Sequence, residues 1–174
     1  MLKYFYGTMF AGKTLHLIQA KEIYDRKHIN AVVLKKDTDT RESHDSEGWS
    51  VIASRFNPNK TTGCFYFNDL KKDIVRFVNK NDVFIIDEAQ FLTADEVLLL
   101  KDLSVNGSKD VICYRLKTDV NSNLFEASAA LLSHADNIAE IPMLCQDGQC
   151  LEKATHHARY VNGIRDTDGN PVKI

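Results

Sequence analysis

Apolar and polar positions along this chain fall into blocks that read as strand, helix, strand. Leu2, Tyr4 and Tyr6 form a short period-two run, and after a glycine-bounded turn Leu15, Ile18, Ile23 and Tyr24 recur at near-helical spacing. Ile29 to Leu34 then reads as a buried strand. From Lys35 to Thr62 the pattern turns polar, with serines, charges, Gly48 and Pro58, which predicts a long loop with a short strand at Val51 to Ala53. Loops of that length in compact domains tend to be functional or mobile. Leu70, Ile74, Phe77 and Val78 predict one amphipathic helix. Asp82 to Asp87 is a strand whose apolar run stops abruptly at Asp87-Glu88. Thr93 followed by Glu96 has capping-box spacing ahead of Val97, Leu99 and Leu100, so a third helix starts there. Asp110 to Tyr114 makes a further strand, Leu124 to His134 a fourth helix, and Asn137 to Pro142 a last strand. No internal repeat or low-complexity tract is visible.

Strands alternating with helices predict an α/β protein with a mostly parallel sheet covered on both faces, in which ligands bind beyond the carboxyl ends of the strands. The turn after the first strand and the Asp87-Glu88 pair both fall at such ends. Residues after Pro142 lose the rhythm, so the expected organisation is an α/β domain over 1–142 and a separate small lobe over 143–174. Composition adds boundaries to this picture. The 174 residues are 44% hydrophobic, enough for one good core and a small appendage. Net charge is −2 at neutral pH, so no basic field announces a nucleic-acid or membrane partner. No apolar run approaches the roughly 20 residues needed to span a bilayer, and the amino terminus reads as a strand, not a signal peptide. The expected place is the cytoplasm.

The chemistry begins with Gly7-Thr8-Met9-Phe10-Ala11-Gly12-Lys13-Thr14, set between the first strand and the first helix. This spacing is that of the phosphate-binding loop, where glycines let backbone N–H groups turn toward phosphates and the helix N-terminus adds its positive end. It implies ATP or a similar triphosphate as ligand, with Lys13 reaching the β- and γ-phosphates. The Thr14 hydroxyl would ligate Mg2+, a hard cation that prefers oxygen donors. Asp87, at the end of a strand beside that loop, fits the acidic residue that holds the metal directly or through water. Glu88 can be the base that takes a proton from a substrate hydroxyl, or a surface carboxylate of the strand-helix turn. Of four cysteines, Cys64 and Cys113 stand alone in apolar runs and read as buried thiols. Cys145 and Cys150, four residues apart, are spaced for one half of a zinc site or are two free thiols.

Taken in order, Gly7 to Thr14, Asp39-Thr-Arg41, Ser54-Arg55, Asp87-Glu-Ala-Gln-Phe91 and Tyr114-x-Leu-x-Thr-Asp119 followed by Leu124-Phe125 resemble thymidine kinase of the cytosolic, zinc-containing class, including its bacterial and phage members. The ordered match covers about residues 1 to 145. The resemblance implies a P-loop NTPase-type sheet with a small zinc-ribbon-like lobe. It implies transfer of the γ-phosphoryl of ATP to the 5′-hydroxyl of thymidine or deoxyuridine in nucleotide salvage, with Mg2+. Residue by residue, it makes Glu88 similar to the family's base, Asp87 to the acidic residue near the metal, and Arg41 to the arginine that supports the phosphates. Lys13 is the catalytic lysine, and Gln90 joins Gly7 to Thr14 on the ATP side. Met9, Phe91, Leu116, Val120 and Phe125 fall where the family lines its thymine pocket; read from the chain alone, Phe91, Leu116 and Phe125 serve equally as core. Members of the family are commonly homotetramers inhibited by dTTP.

The departures lie on the nucleoside side. Arg115 stands where the family keeps a small residue, usually glycine. Val120 replaces an aromatic ring, and Ser122 a common glycine. A second pair of zinc ligands is missing unless His156 and His157 supply it. The chain ends at Gly169 to Ile174, near where the family's nucleoside-covering loop begins, so the base is expected to be poorly enclosed unless another subunit or partner covers it. His157 aligns roughly with a pocket residue. Two further readings therefore stand beside the kinase: a nucleotide-binding homologue without catalysis, and an ATPase or phosphotransferase in which Arg115 meets an anionic acceptor.

Overall fold

The computed structural model describes residues 1–37, 43–44, 50–55, 57–158, 160–162 and 164–165. In chain order these form β1 (Leu2–Tyr6), α1 (Lys13–Arg26), β2 (Ala31–Lys35), β3 (Ser43–His44), β4 (Ser50–Ala53), β5 (Thr61–Gly63), β6 (Phe65–Tyr66), α2 (Phe67–Lys72) and α3 (Ile74–Lys80). They continue through β7 (Val83–Ile86), a 3₁₀ turn (Ala89–Phe91), α4 (Ala94–Val105), β8 (Asp110–Arg115), α5 (Glu126–His134), β9 (Asn137–Glu140), β10 (Tyr160–Val161) and β11 (Ile164–Arg165).

Six strands make the main sheet in the order β6-β2-β7-β8-β1-β9. Every pairing within it is parallel, as in Ile85 opposite Ile112 and Tyr4 opposite Cys113. A parallel sheet must be covered on both faces, and the strand sequences show it: Val83 to Ile86 of the central β7 is buried throughout. One face packs Leu2, Tyr4, Phe84 and Cys113 against α2 to α5 through Phe67, Leu70, Phe77, Val97, Leu100 and Leu131. The other packs Val33, Ile85, Ile112 and Tyr114 against Leu17 and Ile18 of α1 and Ile52 of β4. Each such side chain contributes about 1.5–3 kcal/mol when fully withdrawn from water, so these two layers hold the sheet flat against its helices. The carboxyl ends of β1, β7 and β8 consequently open on one edge.

The mostly parallel α/β sheet flanked by helices that the sequence predicts is the one observed. Two local expectations are corrected. The single helix through Leu70 and Val78 is broken at Asp73, whose backbone leaves helical geometry at φ −143° and ψ 62°. Its side chain accepts from Arg76 N at 3.1 Å, so a residue that bonds readily to nearby backbone ends one helix and caps the next. The polar stretch from Lys35 to Thr62 is more than a loop around one strand: β3, β4 and β5 form a small antiparallel sheet. Lys35 belongs to β2 and is buried. The capping box at α4 forms as expected, with Thr93 Oγ1 accepting from Glu96 N at 3.2 Å and Glu96 Oε2 accepting from Thr93 N at 3.0 Å. Beyond β9, Cys145 N donates to Glu152 O at 2.8 Å and Ala154 N to Met143 O at 2.7 Å, which closes a short hairpin.

Candidate functional site

The loop from Gly7 to Gly12 links the end of β1 to the start of α1, and its two glycines are there for different reasons. A Cβ on Gly7 would lie 2.7 Å from Ile141 O and 2.9 Å from the Ala11 Cβ, so no other residue fits between β9 and the loop. Gly12 sits at φ 75°, in the left-handed region, and turns the chain into α1. Phe10 holds φ 60° without being glycine, a strained conformation for a bulky residue, and Arg55 lies over its ring at 5.6 Å. No side chain caps the first turn of α1, which leaves its N-terminal dipole directed at the loop. Lys13 Nζ donates to Thr8 O at 2.7 Å and Gly7 O at 3.3 Å. Burial lowers its pKa, opposed by Glu88 and Asp87 and reinforced by Arg55. The buried Thr8 Oγ1 has no hydrogen-bond partner. A helix terminus without a cap, an ammonium resting on backbone carbonyls and an orphaned hydroxyl together fit a phosphate chain.

Asp87 leaves β7 at its carboxyl end, buried, with its N–H bonded to Leu34 O at 2.9 Å. Asp87 Oδ1 accepts from Glu88 N at 3.0 Å. Glu88 stands at φ 48° and ψ 42°, a second non-glycine residue in left-handed geometry at this edge of the sheet. Strain of this kind, of order 1–3 kcal/mol, survives where surrounding structure over-determines it. Here the clamp is Gln90: its amide Nε2 donates to Glu88 Oε2, and its Oε1 accepts from Leu116 N at 3.4 Å. Gln90, expected beside ATP, thus has both ends of its amide engaged with protein, tying the end of β7 to the end of β8. Asp87 offers hard oxygen near Lys13, and with Thr14 on α1 the donor set suits Mg2+.

The side expected to receive an acceptor is built on β8 and α5. The 3₁₀ turn carrying half-buried Phe91 packs on β8, which Leu116 follows, and on α5, which Phe125 precedes. Leu116 and Val120 are buried, and Met9 is half-buried in the loop. Asp119 Oδ1 accepts from Asn121 N and Asn123 N, each at 2.9 Å, and so folds a tight turn in which Ser122 is forced to φ 67°. The turn keeps the backbone a glycine would favour, with serine bearing the strain. A cavity of about 310 Å³ opens beside Gly7 and Thr8, walled by Tyr6, Lys117, Thr118 and His157 among others. The residues expected to line a base pocket do not line this one. Both ring nitrogens of His157 are buried, next to the Thr118 backbone. Burial lowers the His157 pKa, as does the Lys13 charge.

Arg41 lies outside the described residues. Arg55 has no role that its motif assigns; its approach to Phe10 and Lys13 depends on contacts across the sheet edge that no local pattern carries. Cys145 is half-buried and Cys150 exposed, both free thiols in the hairpin after β9, and Cys64 and Cys113 are buried as expected. Among the described residues no three His, Cys, Asp or Glu side chains converge to hold a metal. Nor is any described helix long and apolar enough to cross a membrane.

A family model described as thymidine kinase matches residues 1–170. The thymidine kinase of Rhodopirellula baltica is 34% identical over 177 residues, covering 99% of this chain and 80% of that one. That of Streptococcus pyogenes serotype M3 is 33% identical, covering 99% of this chain and 88% of its own. The Mannheimia succiniciproducens thymidine kinase is 32% identical over 153 residues, with 85% and 75% covered. Among solved structures, the Pif1 helicase from Candida albicans aligns over 80% of this chain and 35% of its own, with 14% identity and a TM-score of 0.49.

Proposed function

From the premise that the chain belongs to the thymidine kinase family and is an enzyme of the kinase type, we propose that it transfers the γ-phosphoryl group of ATP to the 5′-hydroxyl of thymidine or deoxyuridine. The observation that carries this reading is the approach of Lys13, the first residue of α1, to Asp87 and Glu88 beyond the carboxyl end of β7, at a helix N-terminus that no side chain caps. Backbone N–H groups of Gly7 to Thr14 would wrap the triphosphate, and Lys13 would leave the Thr8 carbonyl to neutralise the β- and γ-oxygens. Thr14 and Asp87 would hold Mg2+, which when bound supplies charge neutralisation on those oxygens. Glu88, oriented by Gln90, accepts the proton of the 5′-hydroxyl as that oxygen approaches the γ-phosphorus. Phosphoryl transfer needs positioning and charge stabilisation more than covalent participation, and this inventory supplies both.

The half-buried Phe91 and Phe125 with Leu116 and Val120 form an apolar wall suited to a flat base, and Met9 faces them from the loop in this reading. The segment 143–174 is a separate small lobe whose Cys145 and Cys150 can supply half of a zinc site. Assembly as a homotetramer, inhibition by dTTP and a cytoplasmic setting belong to the same proposal. The test is incubation with ATP, Mg2+ and thymidine, with product identified by mass and by its 5′ linkage. Formation of thymidine 5′-monophosphate supports the reading, and ATP binding without that product overturns it.

A further inference from the structure

Arg55 follows β4 where the chain turns back toward β5, and the turn is fixed against α1. Ile52 of β4 is buried with Leu17 and Ile18 of α1, and Lys60 pairs with Glu22 of the same helix at 2.8 Å. The ion pair is exposed and adds little by itself, so the apolar contact does most of the holding. Ser54 is buried, and its N–H donates to Lys60 O at 3.0 Å. The backbone beside Arg55 is therefore anchored, while the Arg55 side chain is exposed.

From this turn the guanidinium reaches the phosphate loop. It lies 5.6 Å from the centre of the Phe10 ring, and Phe10 is the loop residue held at φ 60° with its side chain 44% exposed. Among the described residues Arg55 makes no ion pair and no hydrogen bond, so its planar fork of N–H donors is left open. The second cation at this place is Lys13. Burial lowers the Lys13 pKa, Glu88 and Asp87 oppose that, and the Arg55 charge acts with burial. Like charges brought together repel, and an anion that joins them turns that repulsion into two attractions. In a phosphate loop the backbone N–H groups enclose the α- and β-phosphates and the lysine reaches the β- and γ-phosphates. A cation arriving from outside the loop at the lysine end is left with the γ-oxygens, which a guanidinium fork matches two at a time.

We propose that Arg55 is a further catalytic residue, a second cation that binds the γ-phosphoryl oxygens of ATP beside Lys13. This rests on the phosphate-loop reading of the proposed function and adds a residue to it. In the transfer the bond from the γ-phosphorus to the bridging oxygen breaks with its electron pair left on ADP, the 5′-oxygen bonds to phosphorus, and its proton passes to Glu88. Arg55 exchanges no atom; it offsets charge on the γ-oxygens throughout.

The experiment is calorimetric titration of the full chain with ATP and with ADP, each with Mg2+ and without an acceptor, on wild type, Arg55→Gln and Phe10→Leu. Arg55→Gln is expected to weaken ATP by at least about tenfold while ADP changes by less than about twofold, the loss of charge-assisted bonds to the γ-phosphate alone. Phe10→Leu keeps the charge but removes the ring under it, so ATP weakens by about two- to fivefold, again with ADP little changed. A contact that only braces the hairpin against the loop would move both nucleotides together. Equal losses for ATP and ADP, or an ATP affinity untouched by Arg55→Gln, would each overturn the proposal. Because no turnover is read, a protein that shows the ATP-selective loss yet never phosphorylates thymidine fails the proposed function alone. One that phosphorylates thymidine without that loss fails this inference alone, and a wild type that binds neither nucleotide overturns both.

Discussion

Lys13 Nζ donates to the carbonyl of Thr8 at 2.7 Å, so the ammonium is folded back onto the loop that introduces it. The contact holds a desolvated cation where a phosphate would meet it, with carbonyl oxygens that a more highly charged ligand displaces. Removing the ammonium takes away a charge-assisted partner and leaves the glycine-dependent loop backbone intact. Lys13→Ala is therefore expected to weaken binding of ATP by about 10–100-fold with an unchanged fold, as checked by titration and circular dichroism. An unaltered affinity would remove the phosphate-loop assignment.

Glu88 and Gln90 act as a pair, with the amide of Gln90 steering the carboxylate while it also anchors Leu116 N. Loss of a general base lowers turnover by about a hundredfold or more, which is the expected effect of Glu88→Gln on kcat. Gln90→Leu keeps the carboxylate but frees it, so kcat should fall less, roughly tenfold, with little change in ATP affinity. Steady-state kinetics with thymidine as acceptor separates the two. Near-full activity of Glu88→Gln would make that side chain a surface acid.

Ser122 occupies φ 67° in the turn organised by Asp119. An L-residue there is disfavoured by about 1–2 kcal/mol, more than the roughly 0.4–1 kcal/mol of unfolded-chain freedom that glycine adds. Ser122→Gly is expected to raise stability by on the order of 0.5 kcal/mol in urea denaturation, with a rise in midpoint and an unchanged slope. A loss of stability would show that the hydroxyl contributes something the backbone argument leaves out.

Acidification should destabilise the protein. The His157 imidazole is held below the usual value of 6.5 by burial first, then by Lys13 and His156, against opposing effects of the Thr118 backbone and Asp119. His16, bonded through Nδ1 to Tyr114 Oη at 2.8 Å, is lowered by burial as well, though its ring is partly open to water. The unfolded chain then takes up protons first as pH falls, so stability present above about pH 6.5 is lost progressively on going through the folded-state pKa values. Melting temperature should be lower at pH 5 than at pH 7.5, and His157→Gln should reduce that drop. A melting temperature independent of pH over this range would contradict the assignment.

The parts of this molecule that could be read in its sequence are those set by local necessity. Gly7 stands where no side chain fits and Gly12 where the backbone turns left-handed, and Thr93 with Glu96 encodes a helix start within four residues. The apolar run of β7 ends at Asp87-Glu88 because the sheet ends there. What the sequence hides is set by distant partners. β3 and β5 are too short to show a period, and only their pairing with β4, the strand expected at Val51 to Ala53, defines them. Gln90 holds Glu88 through a bond to Leu116, 26 residues away, a relation that no spacing announces. Arg115 carries the same lesson: that this cation is fully buried, beside the rings of Tyr4 and Phe125, is set by residues distant in the chain.

The most direct test of the central claim follows γ-labelled ATP with Mg2+ and thymidine through wild type, Lys13→Ala and Glu88→Gln under one set of conditions. Label on the 5′-oxygen of thymidine with wild type, and its loss by about a hundredfold or more in Glu88→Gln, is the result expected of a base at that carboxylate. Label transferred equally well by Glu88→Gln, or none transferred by wild type that binds ATP, would contradict it.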